Sequence, residues 1–243
     1  MKKELITYHN PKSPISEIFR TLRTNIQFMA GDKKIRVLLV TSTFPEEGKS
    51  WTSSNLAVTF AQIGKKVILI DADMRKGIQH GIFDVQRSPG LSNYLSEIDS
   101  NGNEEKVVDI TNYIQETEVD NLHIIPAGTV PPNPSELLMS SKMSELLEQL
   151  KQMCDIVIID GSPCGLVTDS VILSRIVDST LIITAHKQTK KDALSTIVRN
   201  IQNVGGKICG IVFNKVPMFT KQYKQSYYYG SKTISKEKKD DKK

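Results

Sequence analysis

Gly48-Lys49-Ser50 follows directly on the loop Thr41-Ser42-Thr43-Phe44-Pro45-Glu46-Glu47. A loop of this kind opening a helix is an anion seat, because unpaired backbone N–H groups and the helix dipole both favour negative charge. A lysine there reaches β- and γ-phosphates, the next hydroxyl suits Mg²⁺, and Gly48 lets the backbone approach closely. Two further groups of acids close apolar runs. Asp71 and Asp73 end Val67-Ile68-Leu69-Ile70, and Asp160 ends Ile156-Val157-Ile158-Ile159. Asp71 and Asp73, two residues apart, point to one side of an extended chain. A phosphate loop with three carboxylates at two strand ends is a donor set for phosphoryl transfer. That chemistry asks for charge neutralisation and an in-line nucleophile more than for covalent help from the protein.

The loop departs from the general GxxxxGK[ST] pattern. Thr43 stands where glycine is expected, Pro45 removes one N–H donor, and Glu46 adds a negative charge beside the phosphates.

The elements that must hold these residues are legible as alternation. The runs at 37–40, 67–70, 156–159, 181–183 and 208–213 are short, apolar and rich in β-branched residues, as buried parallel strands are, and 122–126 is a further candidate. Helical patterns occupy 49–63, 135–153, 169–176 and 190–204, with Ser135 as the cap of a long helix. Ahead of them, 14–29 reads as an amphipathic helix capped by Ser13 or Ser16, with Ile15, Ile18, Leu22, Ile26 and Met29 at helical spacing. The expected fold is α/β: a doubly wound, mostly parallel sheet flanked by helices, of P-loop NTPase type, with ligands beyond the carboxyl ends of the strands. Residues 99–121 read as a polar surface excursion. The expected division is a domain over 1–216, with an N-terminal helix at 13–30, and a flexible tyrosine- and lysine-rich tail over 217–243.

Composition narrows the function. The chain has 243 residues and a formal charge of +5. Eight lysines against Glu237, Asp240 and Asp241 after residue 216 account for all of that charge; the rest carries 24 bases and 24 acids. The body therefore offers no basic face for nucleic acid. Cys154, Cys164 and Cys209 form no CxxC pair, and His9, His80, His123 and His186 have no metal-ligand spacing. The opening Met1-Lys2-Lys3-Glu4-Leu5 leads into no apolar signal stretch, so a cytoplasmic protein is expected. Four of the seven tyrosines crowd into one polar stretch: Tyr223, Tyr227, Tyr228 and Tyr229. Exposed aromatics in series suit either a phosphoacceptor cluster or an anchor on a partner.

Together, the Thr-Ser-x-x-Pro-x-Glu-Gly-Lys-Ser loop, Asp71-x-Asp73-x-Arg75 and the Asp160 strand resemble the Walker A, A′ and B motifs of the bacterial tyrosine kinases. These are the cytoplasmic kinases of capsule and exopolysaccharide assembly that Gram-positive bacteria make as separate chains. Pro132-Asn133-Pro134-Ser135-Glu136-Leu137-Leu138 resembles a family segment, and the likeness runs from about Ser13 to the tail tyrosines. Within that pattern Thr43 and Pro45 are expected. Glu46 stands where the family often has glycine, and Gly161-Ser162-Pro163 where it usually has Thr-Pro-Pro.

The resemblance implies ATP-dependent phosphorylation of tyrosine. Nucleotide would contact Thr43, Pro45, Glu46, Glu47, Gly48, Lys49, Ser50 and Trp51. Asn214, after the last strand, is a candidate for the adenine, and a loop asparagine is the plainer reading. Ser50, Asp73 and Asp160 would hold Mg²⁺. Asp71 is the candidate base, since a phenol of pKa roughly 10 needs help near neutrality; the choice between Asp71 and Asp73 stays open. Arg75 would pair with an acid or order its loop. Glu17, Arg20 and Arg23 match the family's Glu-x-x-Arg-x-x-Arg helix, which joins subunits into a homo-oligomer where one tail enters a neighbour's site. The implied partners are the cytoplasmic end of a membrane-embedded modulator, which would recruit the chain to the inner face of the membrane, and protein-tyrosine substrates. Two alternatives stand: an ATPase of the MinD/ParA type, whose signature lysine is replaced here by Phe44, and a nucleotide-gated adaptor without kinase activity.

Overall fold

The computed structural model describes residues 4–29, 34–97 and 109–217. Seven strands form one sheet: β1 Val37–Ser42, β2 Val67–Asp71, β3 Gln115–Glu116, β4 Leu122–Ile125, β5 Ile156–Asp160, β6 Ser179–Ala185 and β7 Ile208–Asn214. Their order is β3-β4-β2-β5-β1-β6-β7. All neighbours are parallel except β3, which pairs antiparallel with β4. Every residue of β1, β2, β5 and β6 is buried, which is why these runs carry no polar alternation.

The nine α-helices among the described residues are α1 Ile6–His9, α2 Pro14–Met29, α3 Lys49–Ala61, α4 Gln79–Phe83, α5 Leu91–Ser96, α6 Pro134–Met139, α7 Ser141–Met153, α8 Asp169–Ser174 and α9 Lys191–Asn203. Alternate strand residues feed two cores. Leu38, Val40, Ile156 and Ile158 face the side of α2 and α3, and Val37, Leu39, Val157 and Ile159 face α5 and α7. A smaller cluster of Ile182, Ile197 and Ile201 lies under α9. None of the described helices is long and apolar enough to cross a membrane.

The short helices α1, α4 and α5 were not expected from the sequence, and three further details differ from that reading. The helix expected over 135–153 is two helices, because Ser140 adopts an extended ψ of 153°. Ser135 is not its cap: Pro134 is the first helical residue and the Ser135 hydroxyl donates to Asp169 instead, at 2.6 Å. Within the expected excursion, residues 109–121 contain a 3₁₀ turn and β3, while 98–108 lie outside the described residues. Ser13 caps α2, its Oγ accepting the Ser16 N–H at 3.0 Å. The tail tyrosines Tyr223, Tyr227, Tyr228 and Tyr229 also lie outside the described residues.

Candidate nucleotide-binding site

Parallel strands deliver their ends to one place. Val40 of β1 is level with Asp160 of β5, and Asp160 is level with Asp71 of β2. The chain leaving β1 turns through the loop 43–48 into α3, with Gly48 at φ +91°. An L-residue is strained there, and a Cβ would collide with the Asn214 side chain.

Lys49 ties the acids together. Its Nζ lies 3.0 Å from Asp73 Oδ2 and 3.6 Å from Asp160 Oδ1, and donates to Ser50 Oγ at 3.2 Å. Burial alone lowers the Lys49 pKa, but Asp160, Asp73 and Asp71 outweigh it and the net shift is upward. Asp71 is fully buried; its oxygens accept the N–H groups of Asp73 at 3.3 Å and Gln79 at 3.0 Å. Burial, and then the neighbouring Asp160 carboxylate, push its pKa up to about 8. In this state Asp71 has no surface for a substrate, and Gly77 packs so close to its carboxylate that a Cβ there would collide with it. Asp73 keeps 5% exposure and accepts the Lys76 N–H at 3.0 Å.

A hydroxyl and two carboxylates are hard oxygen ligands of the kind that Mg²⁺ takes. Asp160 Oδ1 is buried and accepts no hydrogen bond, so one ligand position is open on its own oxygen. Among the described residues no three His, Cys, Asp or Glu side chains are grouped to hold a metal alone. Mg²⁺ is commonly held by one or two carboxylates together with substrate phosphates.

The AAA domain family matches residues 46–210. The chain is 39% identical to CapB of Staphylococcus aureus, over 93% of this chain and 95% of that protein. It is 34% identical to the tyrosine-protein kinase YwqD of Bacillus subtilis (strain 168), over 96% and 93% of the two. The crystal structure of the chimerical protein CapA2B2 superposes with a TM-score of 0.81 at 36% identity, covering 89% of this chain and 91% of that one. The chain belongs to the bacterial tyrosine-protein kinase family. Its fold is that family's P-loop NTPase fold.

Against the family pattern, the two departures acquire local reasons. Glu46 sits at φ +62°, in the left-handed region where glycine is at ease. Its neighbour Glu47 is 3% exposed and holds the loop: Oε2 accepts the Phe44 N–H at 2.9 Å, and Oε1 accepts the Thr189 hydroxyl and the Ala185 N–H. Gly161 has no room for a side chain, since Ser170 Oγ stands where a Cβ would go. The Thr43 hydroxyl is buried without a partner. Pro45 lies exposed at the rim.

Other expected residues are placed less simply. Asn214 Nδ2 donates to the Glu47 carbonyl at 2.8 Å, so half of its amide is committed to the loop. The Trp51 ring packs edge-on against Phe19 of α2, at 5.0 Å between centroids. Arg75 pairs with the fully buried Asp169, Nε to Oδ2 at 3.1 Å, the pairing with an acid that was one of its two readings. On α2, Glu17 and Arg20 form an ion pair at 2.7 Å. Arg23 turns inward and donates to the Thr59 carbonyl in the last turn of α3, at 2.7 Å. Gln79 is a residue that the sequence reading missed. It is fully buried and bonds to Ser50, Ser53, Ser54, Asp71 and Asp160. No motif marks it; only its place eight residues after Asp71 offered a signal.

Proposed function

We propose that the chain is an ATP-dependent protein-tyrosine autokinase that phosphorylates Tyr223, Tyr227, Tyr228 and Tyr229, in trans between subunits of a homo-oligomer. The observation that carries this reading is the convergence of Lys49, Ser50, Asp73 and Asp160 at the ends of adjacent strands. Membership of the family supports the choice of tyrosine as acceptor. The likeness to capsule and exopolysaccharide kinases supports a role in regulating that assembly. It likewise supports recruitment to the inner face of the membrane by a modulator's cytoplasmic segment.

In this reading the loop amides of 43–48 and Lys49 bind the phosphates, and Asn214 meets the adenine through the amide oxygen that the loop leaves uncommitted. A magnesium ion entering with the nucleotide would be held by Ser50, Asp73 and Asp160 and would supply charge neutralisation at the β- and γ-phosphates. Lys49 then exchanges its carboxylate partners for phosphate oxygens. The tyrosine oxygen attacks the γ-phosphorus, the bond from that phosphorus to the β–γ bridging oxygen breaks, and ADP leaves. Asp71 is the acceptor for the phenolic proton; burial and Asp160 keep it protonated near neutrality, so it serves only after the segment around Gly77 opens to solvent and its own proton is released.

Purified protein with Mg-ATP should give a phosphotyrosine signal that disappears with Lys49→Met and when all four tail tyrosines become Phe. The assay is to be repeated with the modulator segment supplied. ATP hydrolysis without phosphotyrosine in both settings would favour a MinD/ParA-type ATPase. Nucleotide binding without either reaction would favour the adaptor.

A further inference from the structure

Gln79, the first residue of α4, is a polar side chain with no exposed surface, set between the phosphate-loop helix and two strand-end acids. Its Nε2 lies 2.8 Å from Asp160 Oδ2, 3.0 Å from the Ser50 carbonyl and 3.0 Å from Ser53 Oγ. Its Oε1 accepts from the Ser54 hydroxyl at 2.8 Å. An amide presents donors on one side and an acceptor on the other. The Asp160 carboxylate and the Ser50 carbonyl can only accept, so the amide must turn its N–H groups toward them, and its orientation is fixed.

The consequence falls on Asp160. Oδ2 is taken by Gln79, while Oδ1 is buried, accepts no hydrogen bond and faces Lys49 at 3.6 Å. The terminal torsion of an aspartate is broad. Without the amide, the carboxylate plane is free to turn and carry Oδ1 out of line with Ser50 and Asp73.

We propose that Gln79 is a positioning residue for the divalent cation: its amide holds one oxygen of Asp160 so that the other is presented to the incoming metal–nucleotide. The inference rests on the kinase reading of the site. It assigns Gln79 no contact with nucleotide and no part in proton transfer. Partners one step removed from a metal's own ligands are commonly worth about 10- to 100-fold in metal affinity. A filler between α3 and β5 would behave differently, disturbing stability and all binding together.

The test separates metal from nucleotide. Mn²⁺ affinity is read by electron paramagnetic resonance on the full chain with ADP bound, and ADP affinity is read in EDTA. Gln79→Met keeps the side-chain length and removes the amide. It should weaken Mn²⁺ by about 10- to 100-fold while metal-free ADP affinity stays within about two-fold. On an Asp160→Asn background the same change should add nothing, because its route to the metal is gone. Unchanged Mn²⁺ affinity, a parallel loss of ADP affinity, or a full additive loss on the Asp160→Asn background would each overturn the proposal. If Gln79→Met does not fold, Ser54→Ala carries the test. It removes the hydroxyl that lies against both the amide oxygen and the Ser50 carbonyl, and should weaken Mn²⁺ by roughly 2- to 10-fold in the wild-type background but not on Asp160→Asn; no weakening, or an equal weakening on Asp160→Asn, would overturn the proposal. A wild type that binds no nucleotide defeats the kinase reading and this inference together. A wild type that binds it, with Mn²⁺ affinity indifferent to Gln79, defeats the inference alone.

Discussion

Opposite charges meet in two very different settings in this molecule. At the ends of β1, β2 and β5, the Lys49 side chain is 11% exposed, Asp73 7% and Asp160 1%. On α2, Arg20 is 33% exposed and Glu17 67%. The α2 pair is the shorter, at 2.7 Å against 3.0 Å. Distance is therefore a poor guide to what each does for the fold. Water screens the α2 pair, and holding two long side chains costs entropy. In the buried group the Lys49 ammonium stands against the carboxylates of Asp73 and Asp160, and removing it leaves charge that solvent cannot reach. Arg23 falls between the two settings: it belongs to the α2 triplet by sequence, yet it caps the C-terminal turn of α3.

The sharpest way to break this contrast is Lys49→Met. The nucleotide-free chain should lose about 3–5 kcal/mol of stability, the usual consequence of stripping one partner from a buried pair. Denaturant unfolding in EDTA reads it. A loss as small as that from a surface pair would show that the acids shed their charge at no cost.

The second test concerns sign. Asp71 has a folded pKa of about 8, raised by burial and by Asp160, against an unfolded value near 4. From about pH 4 to pH 8 the folded chain retains a proton that the unfolded chain has released, so stability falls as pH rises through this window. Asp71→Asn removes that slope, although it sacrifices a hydrogen bond with Asp73 or Gln79. Melting in metal-free buffer should therefore decline less steeply with pH in the variant. Identical slopes would mean that Asp71 is ionised in the fold.

Arg23→Ala should cost about 1–2 kcal/mol, because a charge-assisted bond to an otherwise unpaired helix carbonyl disappears. Thermal unfolding of the monomer measures it, and a change below about 0.5 kcal/mol would return Arg23 to the solvated class. The smallest effect is expected from Glu17→Ala, under about 1 kcal/mol on the single chain. Should Glu17 join subunits, as the family resemblance implies, sedimentation will show a smaller assembly with the melting point unmoved. Loss of fold without change of assembly would reverse that assignment.

The contrast also explains what the sequence disclosed. The phosphate loop and the strand-end acids were legible because buried parallel strands are apolar throughout and end abruptly in charge. Their boundaries fell within about two residues of the observed ones. The α2 helix was legible because one face meets water. By contrast, α3 is buried along almost its whole length while carrying Ser50, Thr52, Ser53, Ser54, Asn55 and Thr59. Its polar residues bond inward: Asn55 Oδ1, for instance, accepts the Thr7 N–H and pins α1, which no pattern announced. The two-residue strand β3 is too short to show alternation. The break at Ser140 lay hidden because leucines on either side kept a helical spacing. Gln79 escaped notice because its importance is a matter of convergence in space.

The contact between Gly161 and Ser170 reaches beyond this one chain. A side chain at 161 and the hydroxyl at 170 compete for the same volume, and the Ser170 hydroxyl is itself anchored on the Ser162 carbonyl at 2.6 Å. The two positions are therefore coupled, with Leu39 as a third party. Gly161→Thr alone would jam the strand end; pairing it with Ser170→Gly removes the nearest obstacle, and Leu39 Cδ1, 2.9 Å from that Cβ position, must still shift. Lineages that carry the bulky version should be found to have yielded at the second position as well.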